Sequence, residues 1–189
     1  MQQSFSILFA SSNKNKYTEV KKILEKFDID VGFFQCSLTE IQSNFIKEIA
    51  YKKVIDAFSQ CKKPVIIEDD GLFIDSLNGF PGPFSSYVFK TIGNKGILKL
   101  INTKRNSKFQ SIIAFCDSKK KPIIFEADVK GKISKSQRGN GWGYDPIFIP
   151  NGKSKTFAEL STKNELSHRY KALKKFANWY LNKQESIYR

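Results

Sequence analysis

The sequence has little of what builds the common metal and disulfide sites: one histidine and three cysteines in 189 residues. Cys36, Cys61 and Cys116 lie far apart, are odd in number and form no C-x-x-C pair, so neither a zinc site nor a disulfide framework is indicated. A reduced, cytoplasmic compartment is the matching expectation. No stretch approaches the ~20 apolar residues that a membrane span needs. Met1, Gln2, Gln3 and Ser4 lack a basic n-region, and the apolar run around Ile7, Leu8, Phe9 and Ala10 is too short for a signal peptide. No internal repeat or low-complexity linker interrupts the chain, so one domain over residues 1–189 is expected. Disorder is excluded by an apolar fraction of 40% that includes seventeen Phe.

Acids are also scarce, and this absence is the more informative one. Eighteen Asp plus Glu stand against 32 Lys plus Arg, a net charge of +14 and a pI near 9.6. Such a field draws nucleic acid, an anionic membrane surface or phosphorylated small molecules; equally, it can be a basic surface with no dedicated partner.

Short apolar runs alternate with helical periodicity at the start. Residues 5–10 read as a strand that ends in the polar turn Ser11-Ser12-Asn13. Tyr17, Val20, Leu24 and Phe27 then recur at helical spacing. A second strand is expected over residues 31–36, followed by a polar loop at Thr39 and Glu40. The next helix has Phe45, Ile49, Val54 and Phe58 facing inward. Residues 64–67 read as a buried strand ending abruptly at Glu68-Asp69-Asp70-Gly71. Gly79-Phe80-Pro81-Gly82-Pro83 is a turn, and helical patterning resumes over residues 87–101. Residues 109–115 and 122–129 read as paired strands joined by the lysine-rich turn at 118–121. Residues 139–143 are a glycine-rich loop and residues 168–181 a closing helix. The fold class is α/β, with one chain folded as two lobes around a central substrate cleft.

Four segments carry chemistry. Ser11-Ser12-Asn13-Lys14-Asn15-Lys16 opens a helix, where orphan N–H groups, small hydroxyls and lysines can bind a triphosphate tail; a plain helix cap is the alternative. The G-x-x-x-x-G-K spacing of a P-loop is missing. Glu68, Asp69 and Asp70 at a strand end, with Glu40 in an earlier loop, can hold Mg²⁺, which would relieve their mutual repulsion; a solvated acidic turn is the alternative. In Gly141-Trp142-Gly143-Tyr144-Asp145-Pro146, aromatics framed by glycines offer a ring on which a base can stack. There Asp145 would accept hydrogen bonds from ring N–H groups. No helix of Rossmann pattern follows it. Ser167-His168-Arg169, shortly after Lys163, opens the last helix where anions are favoured, or else supplies a capping surface histidine.

Taken in order, these segments resemble the inosine triphosphate pyrophosphatase family, the XTP/dITP pyrophosphatases. The resemblance runs from about Leu8 to Trp179. It includes Ser11, Asn13 and Lys16, then Glu68-Asp69 followed by Gly71-Leu72, and Gly79-Phe80-Pro81-Gly82. It continues through Trp142-Gly143-Tyr144-Asp145 and closes with Lys163-Asn164 and Ser167-His168-Arg169. The resemblance implies hydrolysis of ITP, dITP and XTP to monophosphate and pyrophosphate, which removes deaminated purines from the nucleotide pool. It implies that Ser11, Ser12, Asn13, Lys14, Asn15 and Lys16 cradle the phosphates, with Lys53 near them. Glu40 and Asp69 would hold Mg²⁺, and Asp69 would serve the attacking water as base. Trp142, Gly143, Tyr144 and Asp145 would take the base, with Lys163, His168 and Arg169 completing the pocket. It further implies an elongated mixed sheet with flanking helices, and a homodimer.

Two positions depart from the family pattern. Trp142 stands where many members have Phe, which keeps the stacking surface. Asp70 replaces the usual Ser or Thr and is either a phosphate-side residue or a further metal ligand. A nucleic-acid-binding module is the rival reading of the charge, and a salt-dependent gel shift separates the two. Against it, the basic residues are dispersed and the acids are held in one cluster, so no specific nucleic acid is expected. The septum-formation-type nucleotide pyrophosphatases share a general architecture. The Ser-His-Arg and Trp-Gly-Tyr-Asp segments favour the inosine triphosphate branch.

Overall fold

The expected strand–loop–helix opening forms as β1 (Ile7–Ser11) and α1 (Lys14–Leu24). The computed structural model describes residues 6–119 and 121–185. Residues 1–4, Phe5 of the expected first strand and Lys120 of the expected turn lie outside them. Helix α1 starts because Asn13 caps it, its Oδ1 accepting the N–H groups of Asn15 at 3.0 Å and Lys16 at 3.3 Å. Val20 and Leu24 are fully buried, as the periodicity predicts. Phe27 falls in a 3₁₀ turn, Glu25–Phe27, closed by Asp28 in the left-handed region.

Strand β2 (Val31–Gln35) lies parallel to β1, with Ile7 opposite Val31 and Ser11 opposite Gln35. Helix α2 (Ile46–Cys61) buries Ile49 and Val54. Phe45 does not point inward as expected. It sits before the helix with extended backbone and is 66% exposed. Strand β3 (Val65–Ile74) pairs parallel with β1 and does not stop at Glu68. It continues through the three acids because its far end pairs antiparallel with β4 (Pro81–Gly82), Leu72 opposite Gly82. The expected helix over 87–101 is two helices, α3 (Ser85–Thr91) and α4 (Gly93–Leu100). The break falls at Gly93, the first residue of α4, whose φ of 58° lies in the left-handed region that glycine adopts without strain.

Strands β5 (Asn106–Cys116) and β6 (Ile123–Ile133) are neighbours in the sheet, as expected, and each is longer than the apolar run that announced it. β7 (Phe148–Pro150) pairs antiparallel with β6. α5 (Lys163–Leu166) and α6 (His168–Glu185) close the chain. The result is one mixed sheet with flanking helices, in the order β2-β1-β3-β5-β6-β7 with β4 on β3.

Two compact units share these elements. The first comprises Met1–Asp69, Ile112–Glu126 and Arg169–Arg189. Its core is aliphatic under α1 and α2 (Ile7, Val20, Val54, Val65, Ile66) and aromatic along α6, where Phe176 is fully buried against Phe115 and Phe125. The second comprises Asp70–Ser111 and Ala127–His168. Its core gathers Leu72, Val88, Ile97, Phe109, Ile147, Phe148 and Phe157. Among the described residues no helix is long and apolar enough to cross a membrane.

Candidate active site

In the first unit the loop between β1 and α1 turns on its own side chains. Ser11 Oγ accepts the Asn13 N–H at 3.0 Å, and Asn13 in turn caps α1. The first turn of α1 carries Lys14, Asn15 and Lys16 and no acid, so the helix terminus keeps its positive end. Ser12, Lys14 and Asn15 are exposed, while Ser11, Asn13 and Lys16 are half-buried. The Asn13 side chain takes the N–H groups of Asn15 and Lys16, so what this terminus offers an anion is the helix's positive end and the nearby lysines.

The acids of β3 are not a single cluster. Successive side chains of a strand leave on opposite faces. Glu68 is buried with Oε1 2.8 Å from Arg169 Nε and Oε2 3.6 Å from Lys16 Nζ. Asp69 leaves the other face, its oxygens 3.1 and 3.2 Å from Lys53 Nζ. Alternation therefore separates Asp69 from the other two acids, and the chain's own cations face Glu68 and Asp69. Lys53, 9% exposed on α2, also reaches Glu40 Oε1 at 2.7 Å. Glu40 comes from the loop between β2 and α2 and is itself exposed.

Glu40 and Asp69 thus converge on one cation. Two carboxylates from separate segments that share an ammonium offer the oxygen donors that suit Mg²⁺, which takes few protein oxygens and keeps water and phosphate. These residues fit the metal that the resemblance implies. Asp70 is half-buried on the strand face that Glu68 uses, away from Asp69. Within the second unit, Asp70 and His168 offer ligating atoms within 4.8 Å of each other.

The glycine-rich loop is in the second unit. Lys163 Nζ donates to Asp145 Oδ2 at 2.6 Å and lies 5.5 Å from the centroid of the Trp142 ring. Trp142 is half-buried and Asp145 is buried. Gly143 has a φ of 62°, which glycine adopts without strain, and its carbonyl accepts from Asn94 Nδ2 at 3.0 Å. Tyr144 is packed inward, its hydroxyl donating to the Ser85 carbonyl at 2.9 Å and its ring edge-on to Phe89. Burial raises the Tyr144 pKa well above its ordinary value, so the group stays a neutral donor. His168 is not a surface cap: it is 3% exposed and stacks parallel on Phe109 at 4.5 Å.

Arg169, 2% exposed in the first unit, binds Glu19 through Nη1 as well as Glu68 through Nε. Sequence reading missed Glu19, Asn94, Ser85 and Phe109 as supports of the site. Each lies dozens of residues or more from the group it holds, as Glu19 and Arg169 are 150 apart and Asn94 and Gly143 are 49 apart, and no local pattern marks them.

Comparison with known proteins bears out the resemblance drawn from the motifs. A dITP/XTP pyrophosphatase of Methanopyrus kandleri is 47% identical over 181 residues, covering 93% of this chain and 96% of its own. One from Hyperthermus butylicus is 45% identical over 178 residues, covering 92% and 93%. Among solved structures, a HAM1 protein from Coxiella burnetii superposes with a TM-score of 0.81 at 29% identity, covering 95% of this chain and all of that one. The sequence pattern of the Ham1 family matches residues 7–179, and this chain belongs to the Ham1 family.

Proposed function

We propose that this protein is a nucleoside-triphosphate pyrophosphatase that hydrolyses ITP, dITP and XTP to the monophosphate and pyrophosphate. The observation that carries the reading is the convergence of Glu40 and Asp69 on Lys53, in the unit that also holds the Asn13-capped loop. Water adds to the α-phosphorus, the bond to the bridging α–β oxygen breaks, and pyrophosphate leaves with the electron pair. Asp69 orients the water and takes its proton. Bound Mg²⁺, held by Glu40 and Asp69, supplies charge neutralisation on the phosphates. Lys53, Lys16 and the α1 terminus hold the triphosphate in line, so that positioning provides most of the acceleration.

Selectivity lies in the base. Trp142 offers a stacking face, and Asp145, held by Lys163, accepts from the ring N–H of a 6-oxo purine. Adenine presents no N–H at its N1, so the buried carboxylate would be left unmatched. His168 completes this pocket, with the Asp70 carboxylate within 4.8 Å of a His168 ring nitrogen. The protein acts in the cytoplasm as one domain that forms a homodimer. Exposed Phe84, Tyr87 and Ile92, in and beside α3, support association through an apolar patch.

The test is a nucleotide panel assayed for released phosphorus species with and without Mg²⁺. Pyrophosphate is expected as the first product from ITP and XTP, with ATP poorly used and activity lost on chelation. Stepwise orthophosphate release would replace this reading with a phosphatase.

A further inference from the structure

Of the acids on β3, Glu68 has no role in the reaction above, although it is the most deeply buried of them. Its side chain is 0% exposed. Oε1 takes the Nε–H of Arg169 at 2.8 Å, a full hydrogen bond, while Oε2 lies 3.6 Å from Lys16 Nζ, beyond that range. Arg169 has a second anion, Glu19, one turn along α1 from Lys16. Two carboxylates and two cations therefore face one another in the first unit. Glu68 is the carboxylate that Arg169 and Lys16 share.

We infer that Glu68 is a positioning residue that holds the Lys16 ammonium at the phosphate loop and limits how tightly that ammonium grips pyrophosphate. The inference rests on the phosphate role proposed for residues 11–16. A carboxylate shielded from water exerts a stronger field than an exposed one. Placed here, Glu68 competes with phosphate for Lys16 and repels the phosphate directly, so both effects weaken anion binding. The contact is loose enough for the ammonium to turn toward an arriving triphosphate, and Arg169 anchors the carboxylate when it does. A site without Glu68 would hold substrate and product tails more tightly alike. That lowers KM without lowering the barrier to chemistry, and slows product release.

Glu68→Gln tests this, because Gln keeps the shape and an oxygen for Arg169 Nε–H while removing the charge. Calorimetric titration with inorganic pyrophosphate and Mg²⁺ should show at least fivefold tighter binding than wild type. KM for ITP should fall in parallel, with no rise in kcat. A carboxylate with a merely structural role would lower the folded fraction and kcat, leaving pyrophosphate affinity unchanged or weaker. That outcome, in a variant with a cooperative melt, overturns the inference. If Gln prevents folding, Glu68→Asp takes its place, since the shorter acid withdraws the charge from Lys16. At least twofold tighter pyrophosphate binding is expected there, and equal or weaker binding overturns the inference. A wild type that binds no pyrophosphate removes the phosphate-loop reading and this inference together. A wild type that binds it, beside a Gln variant that binds no better, removes the inference alone.

Discussion

The ammonium of Lys163 donates to the Asp145 carboxylate at 2.6 Å, and both side chains are largely shielded from solvent. The pair fixes the direction of the Asp145 carboxylate, while the same ammonium lies over the Trp142 ring. A carboxylate so held is an acceptor only, which is the property that distinguishes a ring N–H from a ring nitrogen.

Asp145→Asn should therefore change the choice of base more than the rate on a poor substrate. The amide can donate as well as accept, and Lys163 loses its counter-charge. The kcat/KM for ITP and XTP is expected to fall by roughly tenfold or more, the cost of about one charge-assisted hydrogen bond, with ATP little changed. Steady-state kinetics on the three nucleotides check it, and an unchanged ITP/ATP ratio would assign base reading elsewhere.

Trp142→Ala should act on all purines alike. The loss of a stacking face costs ~1–3 kcal/mol per base and is indifferent to the 6-substituent. Because the ring is half-buried, the melting temperature should move little. Parallel losses of kcat/KM for ITP and ATP are the expected result. Selective loss of ITP activity would mean that the ring discriminates.

Asp69→Asn should nearly abolish turnover in a folded protein. It removes one of the two carboxylates that meet at Lys53 and leaves that ammonium paired with the exposed Glu40. Metal affinity and base strength fall together. Isothermal titration with Mg²⁺ and single-turnover rates separate the two losses. If a third of wild-type turnover survived at saturating Mg²⁺, Asp69 would hold neither role.

Phe109→Ala is a prediction about stability. The ring is 6% exposed and packs against Phe148 at 4.8 Å, Phe157 at 6.2 Å and the His168 ring at 4.5 Å. Truncating a buried Phe costs about 3–5 kcal/mol from lost burial and the cavity left behind. Urea unfolding should register that loss, and a value below about 1 kcal/mol would mean that the cluster repacks.

Tyr144 should make the protein alkali-sensitive. Burial raises its folded-state pKa, whereas the unfolded chain ionises near the ordinary value of ~10. The unfolded state therefore loses its proton first, and the stability held below pH ~10 declines as pH rises above it. Tyr144→Phe should cost about 1 kcal/mol near pH 8, where the hydrogen bond to Ser85 is lost. That penalty should shrink by somewhat under 1 kcal/mol near pH ~10.5. Denaturant midpoints at the two pH values decide it.

Much of this protein was legible in the linear chain because its signals are local. Helix α1 begins at Asn13 because a capping side chain reaches only two or three residues along, a distance that a sequence displays. The β5–β6 pair was readable for the same reason, a short turn between two β-prone runs. The motifs from Ser11 to Arg169 identified the family because their order survives in one dimension. What only the tertiary structure decided is where each charge goes. Glu68 and Asp69 are neighbours in sequence, yet strand alternation sends one to Arg169 and Lys16 and the other to Lys53. The abrupt stop expected at Glu68 failed because pairing with β4, a contact made beyond the turn, carries β3 on to Ile74. Phe45, apolar and at helical spacing, stays exposed because it precedes the helix rather than belonging to it. Partners such as Glu19 for Arg169 and Phe109 for His168 are brought together by chain folding, and no spacing in the sequence encodes them.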